Sequence, residues 1–380
     1  MKGGAQGSGG VLRHLTVPIV LAPMAGGPST PELAVAVDRA GGLGFLAAGY
    51  LSAERLQRDL LATEERAQRL GVNVFAAAGE PADPEDVRTY AARLGPEAAR
   101  AGVDLGEPRF DDDAFDEKID VLCRYPADAV SFTFGLPPPE TIGRLRDAGS
   151  EVWLTVTSPE EACRAVDAGA DALVVQGVEA GGHRGVFVDD DGQSELSLLA
   201  ALQLVGAQVD VPLVAAGSIM TGRALAAVLV AGAAAGQLGT AYLRTPEAGT
   251  SPAQRDATAS DRRTVLTRAF SGRLARGIAN RLHDQYAGDA PRAYPEIHHL
   301  TSPLRAHGRA AGDPDLINLW AGQAHRMAAE LPAEELTLRL AQDAREAIAV
   351  AAARLGPPEA RAGVPGANAA ARSRSGGGQG

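Results

Sequence analysis

Lysine is almost missing from this chain. Only Lys2 and Lys118 occur in 380 residues, so positive charge is carried by arginine. A Schiff-base aldolase needs a desolvated lysine on a barrel strand, and neither lysine falls near a candidate strand, which argues against that chemistry. Cysteine is as scarce. Cys123 and Cys163 lie in stretches patterned as helices, and neither has a second cysteine or a histidine at metal-ligand spacing. Each reads as a small buried hydrophobe. A disulfide framework is excluded, and a nucleophilic cysteine in a loop, as nucleotide dehydrogenases of the inosine monophosphate type use, is not expected. There is no run of 18 apolar residues and no basic segment leading into an apolar one, so neither a membrane span nor an export signal is expected and the cytoplasm is the default. Excess basic charge is also lacking. With 36 Lys and Arg against 47 Asp and Glu, the net charge of −11 argues against nucleic acid and for small-molecule partners.

What is present is an ordinary globular composition. At 45% hydrophobic and 22% charged residues, the chain can bury a large core. Residues 1–10 are Gly-rich and residues 356–380 are rich in Pro, Gly, Ala, Arg and Ser without periodicity, so both are expected to be disordered tails. Between them eight short apolar runs alternate with amphipathic segments: Val17 to Ala22, Gly44 to Ala47, Val72 to Phe75, Ala129 to Phe134, Val152 to Val156, Ala172 to Val175, Pro212 to Ala216 and Ala234 to Leu238. Helices are expected over Thr30 to Ala40, Ala53 to Arg69, Pro139 to Ala148, Pro159 to Ala168, Glu195 to Ala207 and Gly222 to Ala231, with Ser52, Ser158 and Thr221 at N-cap positions. Four helix-to-strand junctions carry an Ala-Gly pair, at Gly41, Gly149, Gly169 and Gly232, where glycine can take the left-handed conformation that ends a helix. Eight such units predict an α/β fold, a (β/α)8 TIM barrel spanning 11–246 and 310–355, with a small additional helical segment. Residues 247–309 read as an insertion or lid. An open doubly wound sheet is the runner-up, but Ala25-Gly26-Gly27-Pro28-Ser29 after the first strand is no GxGxxG loop.

The chemistry concentrates after strands six, seven and eight. Gln176-Gly177-Val178-Glu179-Ala180-Gly181-Gly182-His183-Arg184-Gly185 brings three types of functional side chain to the active end of the barrel among glycines that let a flat ligand approach. His183 is the candidate catalytic base, while Glu179 and Arg184 fit local loop ion pairs equally well. Gly217-Ser218-Ile219 and Gly239-Thr240 follow the next two strands, where barrels commonly bind phosphate through turn N–H groups. His298, His299 and His307 match no zinc spacing and are expected to be solvated or to pack on helices. No metal is expected.

With these motifs the chain resembles the nitronate monooxygenase family, formerly the 2-nitropropane dioxygenases. The resemblance runs from Ala22-Pro23-Met24-Ala25-Gly26-Gly27 through Val72-Asn73-Val74-Phe75, Ser131-Phe132-Thr133-Phe134-Gly135 and the histidine loop to Leu266 to Arg273 and Asn318-Leu319-Trp320-Ala321-Gly322-Gln323. It implies FMN as cofactor, with Ala22, Pro23 and Met24 facing the ring, Asn73 and Gln176 at its polar edge, and Gly181 and Gly182 against it. Gly217, Ser218, Gly239 and Thr240 would hold its phosphate, and Gln237 and Leu238 would also contact the cofactor. Where the family often has Gly-Gly-Ile this chain has Gly217-Ser218-Ile219, so slightly altered phosphate contacts are expected. The implied reaction is oxidation of an alkyl nitronate, or of a nitroalkane after loss of its α-proton, to a carbonyl compound and nitrite with O2, in detoxification. A histidine titrating near neutrality would suit the proton step. An NAD(P)H-dependent quinone or enoyl-thioester reductase of the same superfamily is the alternative, and a non-catalytic flavin-binding barrel the alternative of another class. Arg273 and the 277–280 segment are expected to approach the substrate. A final helix over Glu335 to Leu355 is expected to pack on the barrel or in a homodimer.

Overall fold

A computed structural model of the protein describes residues 10–76, 79–190 and 195–355. The expected tails apart from Gly10, and the 77–78 and 191–194 stretches, lie outside the described residues. The elements, in chain order, begin with β1 (Ile19–Leu21), α1 (Pro31–Arg39), β2 (Gly44–Ala47), α2 (Ala53–Glu64), β3 (Leu70–Phe75), α3 (Pro84–Ala101), α4 (Phe115–Arg124), β4 (Ala129–Thr133), α5 (Pro139–Asp147) and β5 (Glu151–Val156). They continue with α6 (Pro159–Asp167), β6 (Ala172–Gln176), β7 (Gly182–His183), α7 (Leu198–Gly206), β8 (Leu213–Ala216), α8 (Gly222–Val230) and β9 (Ala235–Leu238). After the last barrel strand come α9 (Pro252–Ala259), β10 (Thr264–Thr267), β11 (Ala275–Ile278), α10 (Arg281–Tyr286), α11 (Glu296–Ala311) and α12 (Ala333–Leu355).

The eight apolar runs become one parallel sheet in the order β1-β9-β8-β6-β5-β4-β3-β2. A parallel bridge between Val20 and Leu43, with Leu43 N–H donating to Ile19 O at 3.0 Å, joins β1 to the approach of β2 and closes the barrel. The strands are nearly continuous in buried residues, as a sheet covered on both faces requires. Gly41, Gly149, Gly169 and Gly232 sit at φ between +90° and +101°, the left-handed junctions read from the Ala-Gly pairs. Ser52, Ser158 and Thr221 cap α2, α6 and α8 by accepting from the N–H groups of Arg55, Glu161 and Ala224.

Two helices are shorter than their sequence pattern, and tertiary contacts explain both. α2 stops at Glu64 rather than Arg69 because the Asp38 carboxylate of α1 takes the N–H groups of Gln68 (2.7 Å) and Arg69 (3.1 Å), pulling the chain out toward β3. α7 starts at Leu198 rather than Glu195, where the Glu179 carboxylate accepts from Leu198 N–H at 3.0 and 3.1 Å. Cys163 is exposed and Cys123 half-buried, against the expectation of two buried hydrophobes: α6 turns Ala162 and Ala165 inward and leaves Cys163 on the outer face.

α12 packs on the barrel exterior across α8 and α1, burying Leu336, Leu340, Ala341 and Ala344. A Cβ on Gly222 would stand 2.4 Å from Asp343 Cβ, so the start of α8 needs glycine for this approach. Leu338, Ile348 and Val350 remain exposed on the opposite side of α12. Beyond the barrel, β10 and β11 form an antiparallel ribbon, and β11 pairs with β7 through Ala275–His183 and Arg276–Gly182. The histidine loop is therefore held as a strand edge. Among the described residues no helix is long and apolar enough to cross a membrane, and no cluster of potential metal ligands occurs.

Candidate active site

A cavity of about 360 Å³ opens where the barrel strands end, the face on which (β/α)8 barrels carry their sites. His183 and every cofactor-binding position expected from sequence line it; Arg273 and residues 277–280, expected to approach the substrate, are not among its lining residues. Ala22, Pro23 and Met24 come from the exit of β1, Asn73 from β3, Gln176 from the end of β6, and Gly181, Gly182 and His183 from the following loop and β7. Gly217 and Ser218 follow β8, Gln237 and Leu238 belong to β9, and Gly239 and Thr240 follow it.

His183 is held from every side. Its carbonyl accepts from Gln176 Nε2 at 3.0 Å, its Nε2 lies 2.8 Å from the Ser271 hydroxyl, and its ring meets the edges of Phe134, Tyr294 and Trp320 at centroid distances of 5.6, 5.8 and 5.4 Å. Burial, then the charges of Arg273 and Arg305, push its pKa from the ordinary 6.5 down to about 3. This corrects the expectation of a histidine titrating near neutrality. The imidazole is neutral throughout the physiological range because desolvation and two guanidinium groups all oppose a further positive charge. Nitronate turnover is accordingly expected to show no acid limb from His183 between about pH 5 and 8, as a kcat profile in overlapping buffers would reveal. A limb near pH 6.5 that disappears in His183→Asn would contradict it.

The two guanidinium groups are unusual in their surroundings. Arg273 and Arg305 are 8% and 7% exposed, and among the described residues neither has a carboxylate within 4.0 Å. Arg273 donates to Val186 O and lies 4.0 Å from the centroid of the Phe134 ring; of the acidic groups that act on it from farther off, Asp189 is paired to Arg268 at 2.9 Å and Glu161 accepts from Thr157 and from Phe187 N–H. Arg305 lines the cavity, donating to Thr301 Oγ1 (3.1 Å) and His298 O (2.6 Å), and burial brings its pKa down to about 10, so it stays charged. Buried charge without a counter-charge is costly unless a ligand supplies one.

His298 corrects a second expectation. Rather than being solvated beyond the barrel, it lines the cavity, because α11 folds back over the strand ends. It stacks on Tyr50 at 3.9 Å between centroids, and burial lowers its pKa steeply. His299 lies 2.9 Å from Asp111. Tyr50 carries φ +67° and its N–H donates to Asp113 Oδ1 at 3.0 Å. Neutral buried histidines have a consequence for folding. Both bind protons more weakly folded than unfolded, so their stabilising effect is full above about pH 6.5 and is lost as pH falls toward 3, by up to about 1.4 kcal/mol per pH unit for each. Urea midpoints should fall between about pH 7.5 and 5, and a midpoint that rises over that range would refute the assignment.

Gln176 and Asn73 are less available than sequence suggests. Gln176 Oε1 accepts from Arg184 Nη1 (2.8 Å) and Gly185 N–H (2.9 Å), and its Nε2 serves His183 O, so one N–H remains. Arg184 also donates to Gly177 O at 2.8 Å, so these groups mainly shape the histidine loop. Asn73 Nδ2 is directed at Ser131 and Thr133, between 2.9 and 3.1 Å, and among the described residues its Oδ1 accepts no hydrogen bond.

At the other end Gly217 (φ +151°) and Ser218 (φ +48°) turn the chain after β8. Ser218 occupies a backbone region that favours glycine, and its hydroxyl compensates by donating to Glu179 O at 2.9 Å and accepting from Ala324 N–H at 3.4 Å. Thr240 Oγ1 accepts from Gly322 N–H at 3.0 Å. Ser218→Ala keeps the left-handed cost and loses the hydroxyl, so thermal denaturation should show about 1 kcal/mol lost. Ser218→Gly removes both terms and should come out near wild type. Equal losses in the two variants would exclude this balance.

Sequence reasoning did not nominate Tyr50, Ser271, Tyr294 or Arg305. They come from the β2–α2 loop, the β10–β11 turn and the α11 region, whose approach to the barrel mouth has no local signature.

The profile of the nitronate monooxygenase family matches residues 11–343. The chain belongs to the nitronate monooxygenase family. A nitronate monooxygenase from Pseudomonas aeruginosa is 39% identical over 348 residues, which cover 86% of this chain and 96% of that one. A probable nitronate monooxygenase from Staphylococcus aureus is 38% identical, over 84% of this chain and 92% of its own. Among solved structures, nitroalkane oxidase from Streptomyces ansochromogenes superposes with a TM-score of 0.85 at 48% identity, covering 88% of this chain and 97% of that one. FabK from Thermotoga maritima, at 23% identity and a TM-score of 0.71, shares the fold. Family membership makes the chain an oxidoreductase, and the nitronate monooxygenase motifs quoted from its sequence all fall at or beside the cavity.

Proposed function

We propose that the protein oxidises alkyl nitronates to carbonyl compounds and nitrite, using FMN and O2, in a detoxifying role in the cytoplasm. One observation carries this reading: a neutral imidazole faces the cavity, which the buried Arg305 guanidinium also lines, with buried Arg273 acting on the same imidazole and neither arginine within 4.0 Å of a carboxylate among the described residues, a setting complementary to a small organic anion. The cavity residues also suit the cofactor. Two adjacent turns offer backbone amides at Gly217–Ser218 and Gly239–Thr240, and among the described residues the Asn73 oxygen accepts no hydrogen bond. A Cβ on Gly239 would come within 3.1 Å of Ala22 Cβ, so glycine there lets the ends of β1 and β9 meet under a flat group.

When bound, FMN supplies the one-electron chemistry that passes electrons from substrate to oxygen. The protein's part is binding, orientation and proton control. Arg273 and Arg305 place positive potential where the nitronate charge must sit, Phe134, Tyr294 and Trp320 wall off water, and His183 accepts a proton or meets the nitro oxygens. Residues 247–309, which contribute Ser271, His298 and Arg305, would enclose the substrate. The test is anaerobic mixing of the flavin-loaded protein with ethylnitronate in one cuvette and NADH or NADPH in another. Loss of flavin absorbance with the nitronate alone supports the proposal; rapid loss only with a nicotinamide would replace it by a reductase.

A further inference from the structure

Two nitrogens of His183 could act on a substrate, and a neighbour decides between them. Ser271 is 2% exposed, and its hydroxyl lies 2.8 Å from His183 Nε2 and 3.2 Å from the carbonyl oxygen of Arg273. That hydroxyl has one proton. A carbonyl oxygen can only accept, so the contact with Arg273 is a hydrogen bond only when the proton points there. The contact with His183 then requires the proton to sit on Nε2, with the serine oxygen accepting. In the opposite tautomer Ser271 would have to donate to Nε2 and abandon the Arg273 carbonyl. Both bonds coexist only in the Nε2–H form, and leaving a buried polar group unpaired costs about 1–3 kcal/mol.

We infer that Ser271 is a positioning residue that holds His183 as the Nε2–H tautomer, so that Nδ1 turns its lone pair to the cavity. The inference rests on the proposed reading of His183 as the base of this site. The fold keeps the arrangement in register. Ser271 and Arg273 lie in the turn between β10 and β11, and β11 pairs directly with His183 through Ala275. Three aromatic edges block rotation of the ring.

A lone pair at Nδ1 serves a neutral nitroalkane rather than a preformed nitronate. In that step the α-C–H bond breaks, its electron pair moves into the C=N bond and onto the nitro oxygens, and an Nδ1–H bond forms. Nε2–H stays on Ser271 throughout, so no hydroxyl has to turn. The guanidinium groups that make His183 a weak base also stabilise the nitronate being formed, and the new anion in turn stabilises the imidazolium. The site thus takes both substrate forms, and only the nitroalkane needs the tautomer.

The experiment compares wild type with Ser271→Ala and Ser271→Thr on nitroethane and on ethylnitronate, alongside nitrogen NMR of protein labelled at histidine, with His183→Asn assigning the signals. Wild type should show a protonated Nε2 and an unprotonated Nδ1. In Ser271→Ala the tautomer should shift toward Nδ1–H, and kcat for nitroethane should fall on the order of 10- to 100-fold, part of what a whole general base contributes. Turnover of ethylnitronate, which needs no proton removed, should fall much less than that of nitroethane, and Ser271→Thr should restore both. An Nδ1–H signal in wild type, an unchanged tautomer in Ser271→Ala, or equal losses on the two substrates would overturn the inference. The NMR signal is read without turnover, so absence of any nitronate activity would count against the proposed function and leave the tautomer result standing.

Discussion

Replacing His183 by asparagine is expected to lower kcat for nitroethane by about 10²- to 10⁴-fold, the span a positioned general base contributes. The size follows from the surroundings. His183 lines the cavity, and burial and two cations keep it neutral, a weak base whose protonation the nitronate formed in the same step stabilises. The ring is clamped against Phe134, Tyr294 and Trp320, so no other histidine can swing into its place; His298 is stacked on Tyr50. Asparagine fits the space and carries no basic nitrogen. Ethylnitronate needs no deprotonation and should be much less affected. Steady-state kinetics on the two substrates decide it, and a nitroethane kcat within tenfold of wild type would remove His183 from the role of base.

Gly181→Ala should cause the other large loss. A Cβ at this position would lie 2.5 Å from Ala321 C and from Gly322 N, both backbone atoms. Flexible side chains could retract from such a contact, but here two loops must separate. Ala321 N–H donates to Arg276 O and Gln323 N–H to Glu179 O, so the displaced segment is tied to β11 and to the histidine loop. The expected cost is about 1–3 kcal/mol or more, together with loss of flavin on gel filtration. Gly143→Ala, on the exposed face of α5 with nothing near the added Cβ, should instead stabilise by about 0.5–1 kcal/mol. If both variants melt alike and retain flavin, the close approach of the two loops is not a constraint on the site.

The barrel was legible from the sequence because its signals are local. Strand runs, Ser and Thr caps and the four Ala-Gly junctions depend on residues a few positions apart, and each appears in the structure where its pattern placed it. The histidine loop and the two glycine turns were legible for a related reason: each directly follows a strand, and parallel strands in a barrel all end on the same face. The ends of α2 and α7 were not, since Asp38 and Glu179 capture backbone N–H groups 19 to 31 residues away.

By itself, then, the sequence determined the eightfold alternation, the absence of lysine and thiol chemistry at the strand ends, and the family through its strung-out motifs. Tertiary structure alone decided what kind of histidine His183 is. Its pKa depends on desolvation and on Arg273 and Arg305, and its hydrogen-bonding partner Ser271 is 88 residues away. Pairing of β11 with β7 and the return of α11 over the strand ends create that environment. Electrostatic character is a property of packing between distant segments, and no periodicity within any one of them encodes it.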